Sequence, residues 1–371
     1  MIRAPDRSTA TLFVCGVLAN LLPFAVWPRS LPDLQGRPFD NVWITQYTAD
    51  IVSGAPLSVA PDPWFRYVPQ VLLLEVVSWV RAVTVRDALV ANAAYTVVCE
   101  AIVGPVLLAG LVGVLYIRRA AVATLFVTAG FRLLTLAVAP YLDSEARGLL
   151  WYYTDHWQYA FTLPWLLVTL LAVAYAATHR PDPVGSVAGR TVTTRHLALV
   201  TAGLSLGLTA SVQFVHGGVA AYVLAVAYVR TRRLGDLLTV ALTSMVAFLP
   251  NLLIYRRYPD RWLRQGIEKS APGEAQLGVG IVGLLLVGLF TVHVGLYAGG
   301  ARRRHRLLEC WAVVTGGLFA VLYAVGARWY THHLLYLFTY SALALVGVAV
   351  ATLLEERFFE KRRREELAEY D

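Results

Sequence analysis

Four polar stretches interrupt an otherwise apolar chain, and each carries groups able to do chemistry on a charged substrate. The first, RPFDNVWITQYTADIVSGAPL, holds Asp40, Tyr47 and Asp50, with Asp33 before it and Asp62 after it. The second, PYLDSEARGLLWYYTDHWQY, holds Asp143, Glu145, Asp155 and His156. The third, YRRYPDRWLRQGIEK, crowds together Arg256, Arg257, Arg261, Arg264 and Lys269. The fourth, ARWYTHHLLY, holds Arg328, His332 and His333. A carboxylate can take a proton from an attacking hydroxyl, and an arginine fork can hold a phosphate leaving group. Aromatic rings at a membrane interface can stack on sugar faces or anchor the helices that carry them. Together these groups suit an anionic, sugar-bearing lipid, provided that the four stretches meet on one side of a membrane.

The elements between them are membrane spans. Of 371 residues, 57% are hydrophobic and only 15% charged, with a mean hydropathy of +0.58; a soluble domain carries about a quarter charged residues. Apolar runs of about 18 to 20 residues recur along the chain, and helices satisfy their own backbones in lipid. The composition therefore predicts an all-α, polytopic integral membrane protein forming one domain over residues 1–371. The run from Thr9 to Trp27 lacks a small-residue cleavage site and reads as a retained first span. Basic clusters at Arg118-Arg119, Arg230 to Arg233, Arg302 to Arg306 and Lys361 to Arg364 lie between or after apolar runs, as in cytoplasmic loops. That distribution, not the net charge of +8, decides the partner class: membrane lipids and no nucleic acid.

Placing those clusters inside gives a consistent track. Residues 9–27 cross outward, and 28–66 form an external loop. Residues 67–116 return in one or three crossings, with expected breaks near 81–87 and at Gly104-Pro105. Residues 120–140 run out and 157–178 run back; 197–229 fold as a hairpin turning at QFVHGG. Spans at 236–254, 277–299, 307–327 and 334–354 precede a cytoplasmic tail, 355–371, expected as a short charged helix. The sum is ten to twelve transmembrane helices in the cell membrane, with both termini cytoplasmic. Inside segments carry 19 Arg and Lys against 10 outside. Five of those ten crowd into residues 256–269, against the trend, which singles them out as phosphate-binding candidates.

Ordinary roles compete with the chemical ones. Asp40 can serve as a helix N-cap, Asp50 as a solvated acid, and Asp155-His156 as the polar tip of an aromatic belt. The arginines of 256–264 can bind lipid head groups. Adjacent His332 and His333 cannot share one helix face, which argues against a two-histidine metal site. Cys15, Cys99 and Cys310 show no metal spacing and read as packing residues. No Walker A, nucleophile-histidine-acid or GxGxxG pattern is present. Glu75, Glu100, Arg132, His216 and His293 fall in or near apolar runs, where ionisable groups are costly. Glu75 and Glu100 are expected to pair with Arg132 as a structural clasp.

The stretch FDNVWITQYTADIVSGAPLSVAPDPWFRYVPQVLLLEVVSWV resembles the first luminal loop of the GT-C superfamily of polytopic glycosyltransferases. The shared elements are Asp40 after the first span, Tyr47 in an aromatic-bearing helix, Gly54 with Pro56, and RYVPQVLLL entering the next membrane segment. GLSLGLTASVQFVHGGVAAYVLAVAYVRTRRLGD and GARWYTHHLLYLFTYSALALVG are similar to later segments of that group. Departures are Val68-Pro69-Gln70 where Pro-Pro-Leu is usual, a single acid at Asp40 where a pair is usual, and no soluble C-terminal domain. The resemblance implies a GT-C-like fold and transfer of a sugar, a hexose such as mannose, from a polyprenyl-phosphate donor to a glycan, lipid or protein acceptor on the external face. It implies Asp40 as general base. Arg256, Arg257, Arg261, Arg264, Arg328, His332, His333, Asp155, His156 and Tyr47 are then the substrate- and phosphate-binding candidates. No cofactor is required; a divalent metal is compatible with the acids but demanded by none of them. Two other classes fit the sequence: a transporter or flippase of a lipid-linked saccharide, using charges at mid-membrane, and an inactive GT-C-like assembly partner lacking the second acid.

Overall fold

Because lipid offers no hydrogen bonds, the apolar runs must close their backbone bonds within themselves. The computed structural model describes residues 7–26, 39–54, 68–116, 118–138, 141, 157–187, 189–231, 233–257, 306–324 and 328–368. In chain order the elements are α1 (Arg7–Ala19), α2 (Leu22–Val26), α3 (Phe39–Val52), α4 (Val68–Ser78) and α5 (Val85–Val97). A π-helical segment (Val98–Val103) joins α5 to α6 (Gly104–Leu115), followed by α7 (Arg118–Val138) and α8 (Trp157–Thr178). Strands β1 (Pro183–Val187) and β2 (Arg190–Thr193) form an antiparallel hairpin. Then come α9 (Thr194–Val212), α10 (Phe214–Thr231), α11 (Leu234–Arg257), α12 (Leu307–Ala324) and α13 (Arg328–Ala368). Among the described residues, seven helices are long and apolar enough to cross a membrane, so the chain is a polytopic, helical integral membrane protein.

Helix directions follow from paired contacts. The α7 and α13 helices are antiparallel: Arg119 meets Glu355 at 3.2 Å and Arg132 meets Tyr340 at 2.9 Å. Next to α7 runs α1, parallel to it, with Asn20 donating to the Leu125 carbonyl at 2.9 Å and Arg132 over the Phe24 ring at 5.3 Å. The α9 and α11 helices are also parallel, joined by Arg195 and Asp236 at 2.6 Å. A Cβ on Gly203 would stand 2.6 Å from the Val240 carbonyl, and one on Gly207 2.6 Å from Ala247 Cβ. That close approach is the reason for the Gly203-x-x-x-Gly207 spacing, which lets two backbones pack in lipid.

One face of the bundle thus gathers the β-hairpin and the starts of α7 and α9. The other, the α3 end, gathers the ends of α7, α9 and α11 and the starts of α8, α10 and α13. Arg257 and Leu307 lie at opposite ends; the span expected at 277–299 lies outside the described residues. The start of α1 and the final turns of α13 share the hairpin end.

Between residues 68 and 116 one described helix is long and apolar enough to cross a membrane. Residues Val85–Leu115 form 31 continuous helical residues, about 46 Å long, against about 30 Å of hydrocarbon. The overhang at the α3 end is where α3 and the 11-residue α4 pack. The break near 81–87 is the α4–α5 turn, closed by a Thr84–Asp87 capping box and by Arg81 on Asp87 at 2.6 Å. No break occurs at Gly104-Pro105. The π turn carries the Gly104 N–H to the Cys99 carbonyl, five residues back, and this wider turn makes room for the proline ring. The hairpin at 197–229 turns at Gln213, whose backbone is extended (φ −145°, ψ 105°). The tail is not a separate short helix: α13 runs unbroken for 41 residues, with no proline to stop it.

Candidate active site

The start of α3 docks where three other helices begin or end. Ile44 packs in one apolar cluster with Leu89 and Ala93 of α5, Trp157, Ala160 and Phe161 of α8, and Val212 of α9; Tyr47 lies against it. Ile44 and Thr48, four positions apart, share one face of α3. The helix opens at Phe39, which makes Asp40 a residue of its first turn. Asp50 accepts a hydrogen bond from Gln46 at 2.8 Å on the exposed side.

Arg256 and Arg257 close α11, and Arg328 opens α13. Asp155 and His156, which immediately precede Trp157, lie outside the described residues, as do Asp143, Glu145, Arg261, Arg264 and His293. The described helix ends to which these candidates attach all belong to the α3 end. His332 is half-buried and His333 buried.

Beneath that end runs a buried line of rings that sequence reasoning did not assemble. Tyr159 of α8 sits 4.9 Å from His216 of α10, 4.7 Å from His333 and 5.2 Å from Tyr336 of α13, measured between ring centroids. His216 stacks on Tyr336 at 5.7 Å, and its Nδ1 shares a 2.7 Å hydrogen bond with the Thr162 hydroxyl. Tyr336 leads to Tyr340 at 5.1 Å, whose hydroxyl accepts from Arg132. Arg132 pairs with Glu100 at 3.6 Å, both almost wholly buried. His333, Tyr336 and Tyr340 recur at spacings of three and four, so one α13 face carries all three. That spacing was the available signal, but in an apolar run it is also what plain packing looks like.

The expected clasp is therefore half right. Glu100 joins Arg132 because the π turn directs it into the bundle, whereas Glu75 on α4 bonds Ser78 in its own helix, away from α7. Arg132 stands 14 residues into α7 and six from its end, about 21 Å from the hairpin end and about 9 Å from the α3 end. The ion pair thus lies nearer the α3 end than the hairpin end of α7. Among the described residues, no three His, Cys, Asp or Glu gather as a metal site.

No family model, curated protein or solved structure matches the chain.

Proposed function

We propose that this protein is a membrane glycosyltransferase that moves a hexose, such as mannose, from a polyprenyl-phosphate donor to a glycan, lipid or protein acceptor at the α3 end. One observation carries the reading. The helix ends bearing Asp40, Arg256-Arg257, Arg328 and His332-His333, and the start of α8, belong to one end of the bundle, the end at which Ile44 and Trp157 pack. In this mechanism the Asp40 carboxylate accepts the proton of the acceptor hydroxyl. The hydroxyl oxygen attacks the anomeric carbon, the bond from that carbon to the phosphate oxygen breaks, and polyprenyl phosphate leaves with its charge held by arginines. Direct displacement inverts the anomeric centre. That end faces the exterior and the termini face the cytoplasm in this proposal, in keeping with the basic clusters at the hairpin end.

The transporter reading draws on the buried Glu100–Arg132 pair, but coupling charges are expected near the midplane, and this pair is displaced from the middle of α7 by about one turn toward the α3 end. Sugar transfer in proteoliposomes separates the two readings, using labelled polyprenyl-phosphate hexoses and a cell lipid and glycan extract as acceptor. Wild type transfers label, and Asp40→Asn at equal folded yield loses about a hundredfold or more. Absence of transfer from every donor would sink the enzyme reading. Transfer that survives Asp40→Asn would move the base elsewhere.

A further inference from the structure

The layer made by α3, α4 and α5 buries two side-chain amides away from the line of rings. Gln70 on α4 is 1% exposed, yet neither its Nε2 nor its Oε1 has a hydrogen-bond partner; the same holds for Oδ1 of Asn92 on α5, which is fully buried. Gln70 belongs to the first turns of α4, beside Val71, which packs with Leu89 and Ala93, and one turn before Leu74, which packs with Ala88 and Ala91. Asn92 lies between Ala91 and Ala93, at the same level of the α4–α5 hairpin.

The hydrogen bonds nearby fix the orientation of Asn92. The Thr48 hydroxyl donates to the Ile44 carbonyl at 2.7 Å, so its oxygen can only accept from the amide nitrogen of Asn92, which it does at 3.2 Å. The nitrogen is thereby committed to Thr48 and the Oδ1 acceptor is left over. A buried amide without partners has lost its hydration without replacement, which native proteins rarely tolerate unless the group serves a ligand or an ordered water. The unpartnered atoms comprise one amide nitrogen, with two N–H donors, and two carbonyl acceptors. Of the nearby acids, Asp87 is held by Arg81, while the Ser78 hydroxyl donates to the Glu75 backbone carbonyl at 2.6 Å and stands 3.5 Å from its carboxylate. Neutral amide donors and acceptors match adjacent hydroxyls on a neutral ring rather than a phosphate.

Resting on the transferase reading, we propose that Gln70 and Asn92 form the pocket that reads the ring hydroxyls of the lipid-linked donor sugar. The donor fits better than the acceptor because its sugar is tethered by phosphate to the membrane. Gln70, Asn92 and Asp40's helix all belong to the α3 end, where the proposed transfer occurs.

The test is equilibrium binding to the full-length protein in nanodiscs, comparing polyprenyl-phosphate mannose, glucose and galactose with sugarless polyprenyl phosphate. Wild type should prefer one hexose lipid over polyprenyl phosphate by about tenfold to a hundredfold, roughly tenfold for each hydrogen bond gained. Gln70→Met and Asn92→Leu should erase that preference while polyprenyl phosphate binds unchanged. Gln70 has no hydrogen bond to lose, so Gln70→Met should melt at or above the wild-type temperature; this keeps the test open even if Asn92→Leu misfolds. A wild type that binds all four lipids equally, or a folded Gln70→Met that keeps the hexose preference, would overturn the pocket and leave it a water site only. Binding does not require turnover, so this result is separable from failure of the transfer assay.

Discussion

Replacing Glu100 by glutamine removes one charge from a pair that is only 3% and 6% exposed and leaves the Arg132 guanidinium inside the bundle. Removing one partner of a buried pair costs about 3–5 kcal/mol. Arg132 retains its 2.9 Å bond to Tyr340 and its place over the Phe24 ring, which together recover about 1–2 kcal/mol. The expected loss for Glu100→Gln is therefore about 1–4 kcal/mol, centred near 2.5. Arg132→Met should cost less, about 1–3 kcal/mol, because an abandoned carboxyl can become neutral by taking a proton and a guanidinium cannot. The double variant replaces charge by neutral groups of similar size and should fall within about 1 kcal/mol of wild type. Reversible unfolding in mixed micelles of rising dodecyl sulfate content, followed by near-UV circular dichroism, measures all four proteins. Additive losses in the double variant, or a Glu100→Gln curve that overlays wild type, would refute the ion pair as a clasp between the π segment, α7 and α13.

Other consequences can be checked with less effort. Gly207→Leu should prevent α9 from approaching α11 and abolish folded yield, whereas Gly130→Ala, with nothing within 4 Å of the added carbon, should fold like wild type; size-exclusion chromatography after extraction reads both. In a background with Cys15, Cys99 and Cys310 replaced, a cysteine at exposed Tyr141 should label from one side of sealed vesicles and a cysteine at exposed Gly185 from the other. Labelling of both from the same side would break the assignment of bundle ends. Arg81→Ala, which removes an exposed pair with Asp87, should leave the melting temperature unchanged, since the Thr84–Asp87 capping box still closes α5.

What one chain position shows about itself was legible early; what two positions do to each other was not. Arg132 and Glu100 stood out singly as costly ions in apolar runs, and their pairing was a fair guess. Glu75 looked identical in sequence but sits on a helix that packs chiefly on α3 and α5. Gln70 was visible only as a polar residue where the resembled family carries leucine; its burial without a partner depends on α4 folding back along α5. Gly104-Pro105 looked like a break because a proline ring clashes in a regular α-helix, and only the longer hydrogen bond of a π turn removes the clash.

Hydropathy by itself determined that this chain spans a membrane as helices, because the cost of unpaired backbone groups in lipid depends on composition and run length alone. Charge placement likewise suggested a consistent alternation of loops, since each basic cluster is a local property. The continuous helix through Val85–Leu115, the line of rings from His333 to Glu100 and the docking of α3 on Trp157 were decided by tertiary structure. Each depends on which helix faces meet at distances of 3 to 6 Å, a relation between segments tens to hundreds of residues apart that no local pattern encodes.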